Sequence, residues 1–267
     1  MEEPIGVFDS GVGGLTVARE IMRQLPGENM IYFGDTARVP YGSKSEETII
    51  KYSKQIVRFL LSKGVKAIVV ACNTASALAL DVLQQENDIP IIGVLEPGAI
   101  AAAETTVTKN IGVIATVATI KSGMYNYYLR KIDPQITVVS KACPLFVPLV
   151  EEGLTEDRVT DDIIQRYLHE LKDYEIDSLI LGCTHYPLLR NAIGRYMGEE
   201  VKLVNPAYET AKSLKRLLQD KNMMNTQPEK GKYTYFVSDG VEDFISFADR
   251  VLPCDVKMTS IVNIESY

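Results

Sequence analysis

The sequence predicts an α/β fold: two similar α/β domains with mainly parallel sheets facing each other across a cleft. Three observations lead there. Short apolar runs of strand length alternate with helical patterns, which is how a mainly parallel α/β chain reads. The alternation restarts near Asn110. Two thiols, Cys72 and Cys183, sit in matching places, each just after a strand-like run.

The elements follow in order. Ile5–Phe8 reads as a strand ending at Asp9-Ser10-Gly11. A helix spans about Gly14 to Leu25, with Leu15, Ala18, Met22 and Leu25 on one stripe. Met30–Phe33 is a second strand, followed by the loop Gly34–Gly42. Ser43 and Glu46 fit a capping box that opens a helix to about Ser62, stopped by Gly64. Lys66–Ala71 is an apolar run short enough for a buried parallel strand, and Ala75–Gln85 reads as a helix. Ile91–Leu95 is a strand, and Glu96-Pro97-Gly98 is a candidate crossing between domains.

The second half repeats the alternation. Asn110–Ala115 is a strand ending at Thr116, Lys121–Ile132 is helical, and Ile136–Ser140 is a strand. Asp157–Asp173 reads as one long amphipathic helix, and Ser178–Gly182 as a strand ending at Cys183-Thr184-His185. Pro187 stands where a further helix could begin. Val201–Val204, the helix Tyr208–Asp220, the polar stretch Lys221–Lys232, Tyr233–Val237, a helix near Val241–Val251 and a strand near Val256–Val262 complete the chain. The spacing from Asp9 to Cys72 nearly matches that from Thr116 to Cys183, which suggests a duplication. Strand C-terminal ends are where α/β folds bind ligands.

Composition narrows the function. Of 267 residues, 46% are apolar and 24% charged, enough for a sizeable core. The net charge of −7 argues against nucleic acid or an anionic membrane as the main partner. No apolar run approaches the roughly 20 residues that cross a bilayer. The acidic Met1-Glu2-Glu3-Pro4 lacks a secretory pattern, so the expected location is cytoplasmic. Cys72, Cys143, Cys183 and Cys254 form no CxxC pair and are expected to be free thiols. With two histidines, zinc is not expected.

The two thiol turns carry the chemistry. Val70-Ala71-Cys72-Asn73-Thr74 puts a thiol where a buried strand meets a helix N-terminus, a place that favours thiolate. A lone cysteine there is more simply a small buried hydrophobe. Leu181-Gly182-Cys183-Thr184-His185 repeats the same grammar, and two such turns favour the chemical reading. Asn73, Thr74 and Thr184 suit helix caps and equally suit holding a carboxylate. Asp9-Ser10-Gly11-Val12-Gly13-Gly14 is no dinucleotide fingerprint, since Thr16 replaces its last glycine, and no P-loop, since it lacks lysine. It is either a tight turn capped by Asp9 or a carboxylate set beside a thiol. His185 could raise the thiolate fraction of Cys183 or be a satisfied core histidine. His169 reads as solvated, Cys143 and Cys254 as structural, and Tyr41 lies on a candidate binding loop.

Taken together, five segments resemble the glutamate racemase family of the aspartate/glutamate racemase superfamily. They are Phe8-Asp9-Ser10-Gly11-Val12-Gly13-Gly14-Leu15, Asp35-Thr36-Ala37-Arg38-Val39-Pro40-Tyr41-Gly42, Val70-Ala71-Cys72-Asn73-Thr74-Ala75, the run from Cys143 to Glu151, and Gly182-Cys183-Thr184-His185-Tyr186-Pro187-Leu188-Leu189. They occur in family order. One departure is Val204-Asn205-Pro206-Ala207, where the family often has an Asp-Ser pair.

The resemblance implies a discontinuous first domain, 1–96 plus 208–267, and a second, 97–207. It implies Cys72 and Cys183 as the acid–base pair, Asp9 and His185 as supporting residues, and Glu151 near the second thiol. Ser10, Pro40, Tyr41, Gly42, Asn73 and Thr74 would line the substrate. So would Asp9, Thr116, Thr119, Thr184 and His185. No cofactor or metal is implied. The expected partners are glutamate and a second copy in a homodimer, with the product D-glutamate feeding peptidoglycan synthesis.

Racemisation suits two thiols. A proton leaves one face of the α-carbon and another arrives on the opposite face, so one group cannot do both. The α-proton is a very weak acid, so sulfur must act as thiolate and the carbanion-like state needs donors around it. By resemblance, Cys72 takes the proton from D-glutamate and Cys183 from L-glutamate. Rival readings are aspartate as substrate, or an amino-acid-binding protein of the same shape. A thiol redox enzyme fits less well, since CxxC and a flavin or nicotinamide loop are missing.

Overall fold

The computed structural model describes residues 2–227 and 229–267. Met1, and Pro228 within the polar stretch Lys221–Lys232, lie outside the described residues. Among the described residues, ten strands form two sheets. The first-half strands are β1 (Ile5–Asp9), β2 (Met30–Gly34), β3 (Ala67–Val70) and β4 (Ile91–Gly93). The second-half strands are β5 (Asn110–Ala115), β6 (Thr137–Ala142), β7 (Ser178–Gly182) and β8 (Lys202–Val204). Near the end come β9 (Tyr233–Val237) and β10 (Ser260–Ile261).

The sheet orders are β10-β9-β2-β1-β3-β4 and β6-β5-β7-β8, with every described pairing parallel. The order β2-β1-β3-β4 repeats as β6-β5-β7-β8. This is the topology behind the spacing echo in the sequence. In each half the strand order reverses between the first and third strands, and ligands bind in the crevice beyond such a switch point. Asp9 ends β1 and Cys72 follows β3; Thr116 follows β5 and Cys183 follows β7.

The apolar runs of β1, β2, β3 and β7 are buried along their whole length, as strands covered on both faces must be. Residues alternate faces. Ile5 and Val7 of β1 join one core, and Phe8 joins a second that also holds Phe33, Phe59, Val70 and Cys72. The first core continues unbroken into the second sheet, through Ile111, Val113, Leu179 and Leu181. The helix Pro206–Asp220 packs against both Leu15–Gln24 and Leu95–Thr105 and ties the halves together.

Several local expectations change. Ser45, not Ser43, caps the helix Glu46–Ser62, by accepting from the Thr48 N–H. Ser43 belongs to a preceding 3-10 turn that carries Tyr41. Glu96-Pro97-Gly98 is helical and not a loop: it lies in the first turn of Leu95–Thr105, where proline's missing N–H costs nothing. Expected single helices are split at Ala79 and at Gly123, whose φ of 68° only glycine adopts freely. Asp157–Asp173 becomes Arg158–Leu168 followed by a 3-10 segment, and the final strand shrinks to two residues.

Candidate active site

One cavity of about 410 Å³ opens between the C-terminal ends of the two sheets. From the first half come Ser10, Gly11, Val39–Ser43 and Cys72–Thr74; from the second come Thr116, Val117, Pro144, Val147, Pro148, Glu151 and Cys183–His185. Both thiols therefore line one space. Among the described residues, three larger hollows, of about 480, 540 and 620 Å³, contain no cysteine.

The glycine-rich turn after β1 is a close-packing device. Asp9 accepts from the Gly11 N–H at 2.9 Å, which closes the turn. A Cβ on Gly13 would lie 2.3 Å from Thr184 Oγ1 and 2.5 Å from the His185 ring. The turn thus presses directly on the second thiol segment. Thr16 reinforces it, its hydroxyl lying 2.9 Å from the carbonyl oxygens of both Gly13 and Thr184. Gly13→Ala is expected to displace His185 and cut turnover by about tenfold or more, alongside roughly 1–3 kcal/mol of lost stability. Kinetics and denaturant unfolding of the variant check this; unchanged kinetics would show that the contact is slack.

At the first thiol, Cys72 itself caps the helix Asn73–Leu78, its Sγ accepting from Ala75 N at 3.5 Å. Asn73 and Thr74 are therefore not the caps. The Cys72 thiol donates to Ser10 Oγ at 3.6 Å. Thr74, Thr116 and Thr119 form a triangle of hydroxyls with sides of 3.0, 3.0 and 3.2 Å, joining the two halves. At the second thiol, His185 Nδ1 lies 3.8 Å from Cys183 Sγ, and His185 Nε2 lies 3.0 Å from Glu151 Oε1. The order Glu151, His185, Cys183 is that of an oriented base or acid behind a nucleophilic sulfur.

Of the residues expected at the site, the cavity gathers all but two. Asp9 is fully buried behind the wall, where it touches Gly11 and Thr184. Thr119 is also buried and reaches the cavity only through Thr74 and Thr116. Sequence reasoning did not single out Val39, Pro144, Val147 and Pro148. They form an apolar wall, and apolar side chains leave no chemical signature in a sequence.

Residues 5–214 match the model of the Asp/Glu/Hydantoin racemase family. Across 93% of this chain and 92% of the relative, the sequence is 52% identical to a glutamate racemase of Geobacter metallireducens. The chain belongs to the glutamate racemase family. It is therefore an isomerase of the amino-acid racemase class. The solved glutamate racemase RacE1 of Bacillus anthracis superposes with a TM-score of 0.95 at 43% identity, covering 98% of this chain and 97% of that one. The Francisella tularensis glutamate racemase, solved with D-glutamate, superposes with a TM-score of 0.93 at 40% identity, over 100% and 99%.

In this racemase family member the two sulfurs stand in unlike fields. Burial, and then the neighbouring Asp9 charge, push the Cys72 thiol up to about 12. The expectation that a helix N-terminus makes Cys72 a thiolate fails here. That helix has only six residues, and burial outweighs its weak dipole. Burial would lower His185, but hydrogen bonds to Cys183 and Glu151 outweigh it and raise the imidazole to about 10. Full burial pushes the Asp9 carboxyl up, against the His185 charge and the Gly11, Gly14 and Thr184 donors that pull it down. The site thus sets a buried thiol at Cys72 against a Cys183 sulfur that has the His185 imidazole beside it.

Proposed function

We infer that this protein interconverts L-glutamate and D-glutamate by passing protons between the substrate α-carbon and two thiols, with no added cofactor. The observation that carries the reading is that Cys72 and Cys183 line one cavity from the ends of two different sheets. Glutamate as substrate is supported by relatives that share most of the chain.

In the direction from L to D, Cys183 Sγ takes the α-hydrogen and the Cys72 S–H bond breaks to protonate the opposite face. The reverse direction uses the opposite assignment. One turnover leaves Cys183 as thiol and Cys72 as thiolate, so the starting state returns by reverse turnover or by proton exchange with solvent. Donors from Asn73, Thr74 and Thr184 clamp the carboxylate and offset charge as it builds there. Substrate ammonium near Cys72 lowers its pKa and eases the thiolate step. Asp9 supports this arrangement from behind the wall, and Thr119 acts through Thr74 and Thr116. The working lobes are 1–96 with 208–267, and 97–207, closing over the substrate to exclude water. The enzyme acts in the cytoplasm as a homodimer and supplies D-glutamate for peptidoglycan.

The test is incubation with L-glutamate in heavy water, with no cofactor added. Loss of optical rotation together with α-deuteration is expected, and aspartate assayed in parallel should turn over far more slowly. Binding of glutamate without α-deuteration would make this an amino-acid-binding protein instead.

A further inference from the structure

Tyr125 touches both thiol turns. It stands at the start of the helix Met124–Ile132, just past the redirecting Gly123, and is 3% exposed. Its hydroxyl donates to Asn73 Oδ1 at 2.7 Å, crossing from the second half to the residue after Cys72. Its ring packs beside the residue before Cys183: a Cβ on Gly182 would lie 3.0 Å from Tyr125 Cε2.

The hydrogen bond has a directional consequence. The oxygen and nitrogen of an amide diverge in one plane from a shared carbon. A donor that captures Oδ1 therefore turns the NH2 the other way. Asn73 lines the cavity, and with Oδ1 taken by Tyr125 its NH2 is the end left to pair with an anionic ligand. A flipped amide would instead set a carbonyl oxygen against a carboxylate. We propose that Tyr125 is a positioning residue, which fixes the Asn73 amide with its NH2 toward the substrate carboxylate. This rests on the glutamate reading of the cavity.

The experiment is a double-mutant cycle with Tyr125→Phe, Asn73→Ala and the double variant, read by racemisation kinetics and by D-glutamate binding in calorimetry. Tyr125→Phe keeps the ring and removes only the donor. It should lower kcat/KM and weaken D-glutamate binding by roughly 10- to 100-fold in the wild-type background. In the Asn73→Ala background the same change should cost less than about threefold, because the group it orients is gone. The enantiomers are equal in free energy, so kcat/KM must fall by one factor in both directions, an internal check on the kinetics. Equal losses in both backgrounds would make Tyr125 merely structural, and no loss in the wild-type background would end the proposal. Should the wild type bind D-glutamate without racemising it, the functional reading falls, and the binding cycle still decides Tyr125. A wild type that binds no D-glutamate overturns both.

Discussion

Alanine in place of Cys72 or Cys183 is expected to lower glutamate racemisation by about a thousandfold or more, the upper range for losing a positioned acid or base. The fold should survive, since each change removes one sulfur from a buried site and repacking costs are small. The two variants should differ in what they retain. With Cys183 intact, Cys72→Ala should still exchange the α-hydrogen of L-glutamate for solvent deuterium without making D-glutamate. Cys183→Ala should exchange only D-glutamate. Deuterium incorporation followed by chiral separation reads both outcomes. Near-wild-type turnover in either variant would remove the two-thiol mechanism.

His185→Gln should cost roughly a hundredfold in kcat/KM, because the charge behind Cys183 is lost while a polar side chain remains. The pH profile makes this specific. Hydrogen bonds to Cys183 and Glu151 overcome burial and raise His185 to about 10, so the wild type should keep this imidazolium through neutral pH and lose it near pH 10. That alkaline limb should vanish in His185→Gln. The stability effect has a matching sign. His185 holds its proton more tightly folded than unfolded, where the ordinary value is 6.5. Its contribution is complete below pH 6.5 and drains away as pH rises toward 10. The stability gap between wild type and His185→Gln should therefore narrow across that interval. A gap that widens, or a pH profile shared by both proteins, would show that His185 is not the charged partner of Cys183.

Much of the architecture was legible because it is written in local patterns. The apolar runs before Asp9, Cys72, Thr116 and Cys183 are β1, β3, β5 and β7, each within a residue or two of its expected place. Helix ends were less legible. Ser43 and Ser45 both suit a cap, and the choice falls to Ser45 because the 3-10 turn carrying Tyr41 takes up Ser43. Proline and glycine at Glu96-Pro97-Gly98 suggested a break. They sit instead in the first turn of a helix that packs against Pro206–Asp220 and Met124–Ile132. Tyr125 gave no signal at all, since one tyrosine in an amphipathic helix looks like any other until its partner Asn73 is found in the other half of the chain.

The sequence by itself determined the alternation of strands and helices, the repeated strand order's spacing and the two thiol turns, all of which depend on side-chain periodicity and turn chemistry over a few residues. Only the tertiary structure decided which groups face the cavity, that Asp9 and Thr119 stand behind its wall, and that burial raises the Cys72 thiol while Glu151 and Cys183 hold the His185 imidazole between them. Those properties come from burial and from charges acting through space between residues far apart in the chain. Local pattern does not encode them.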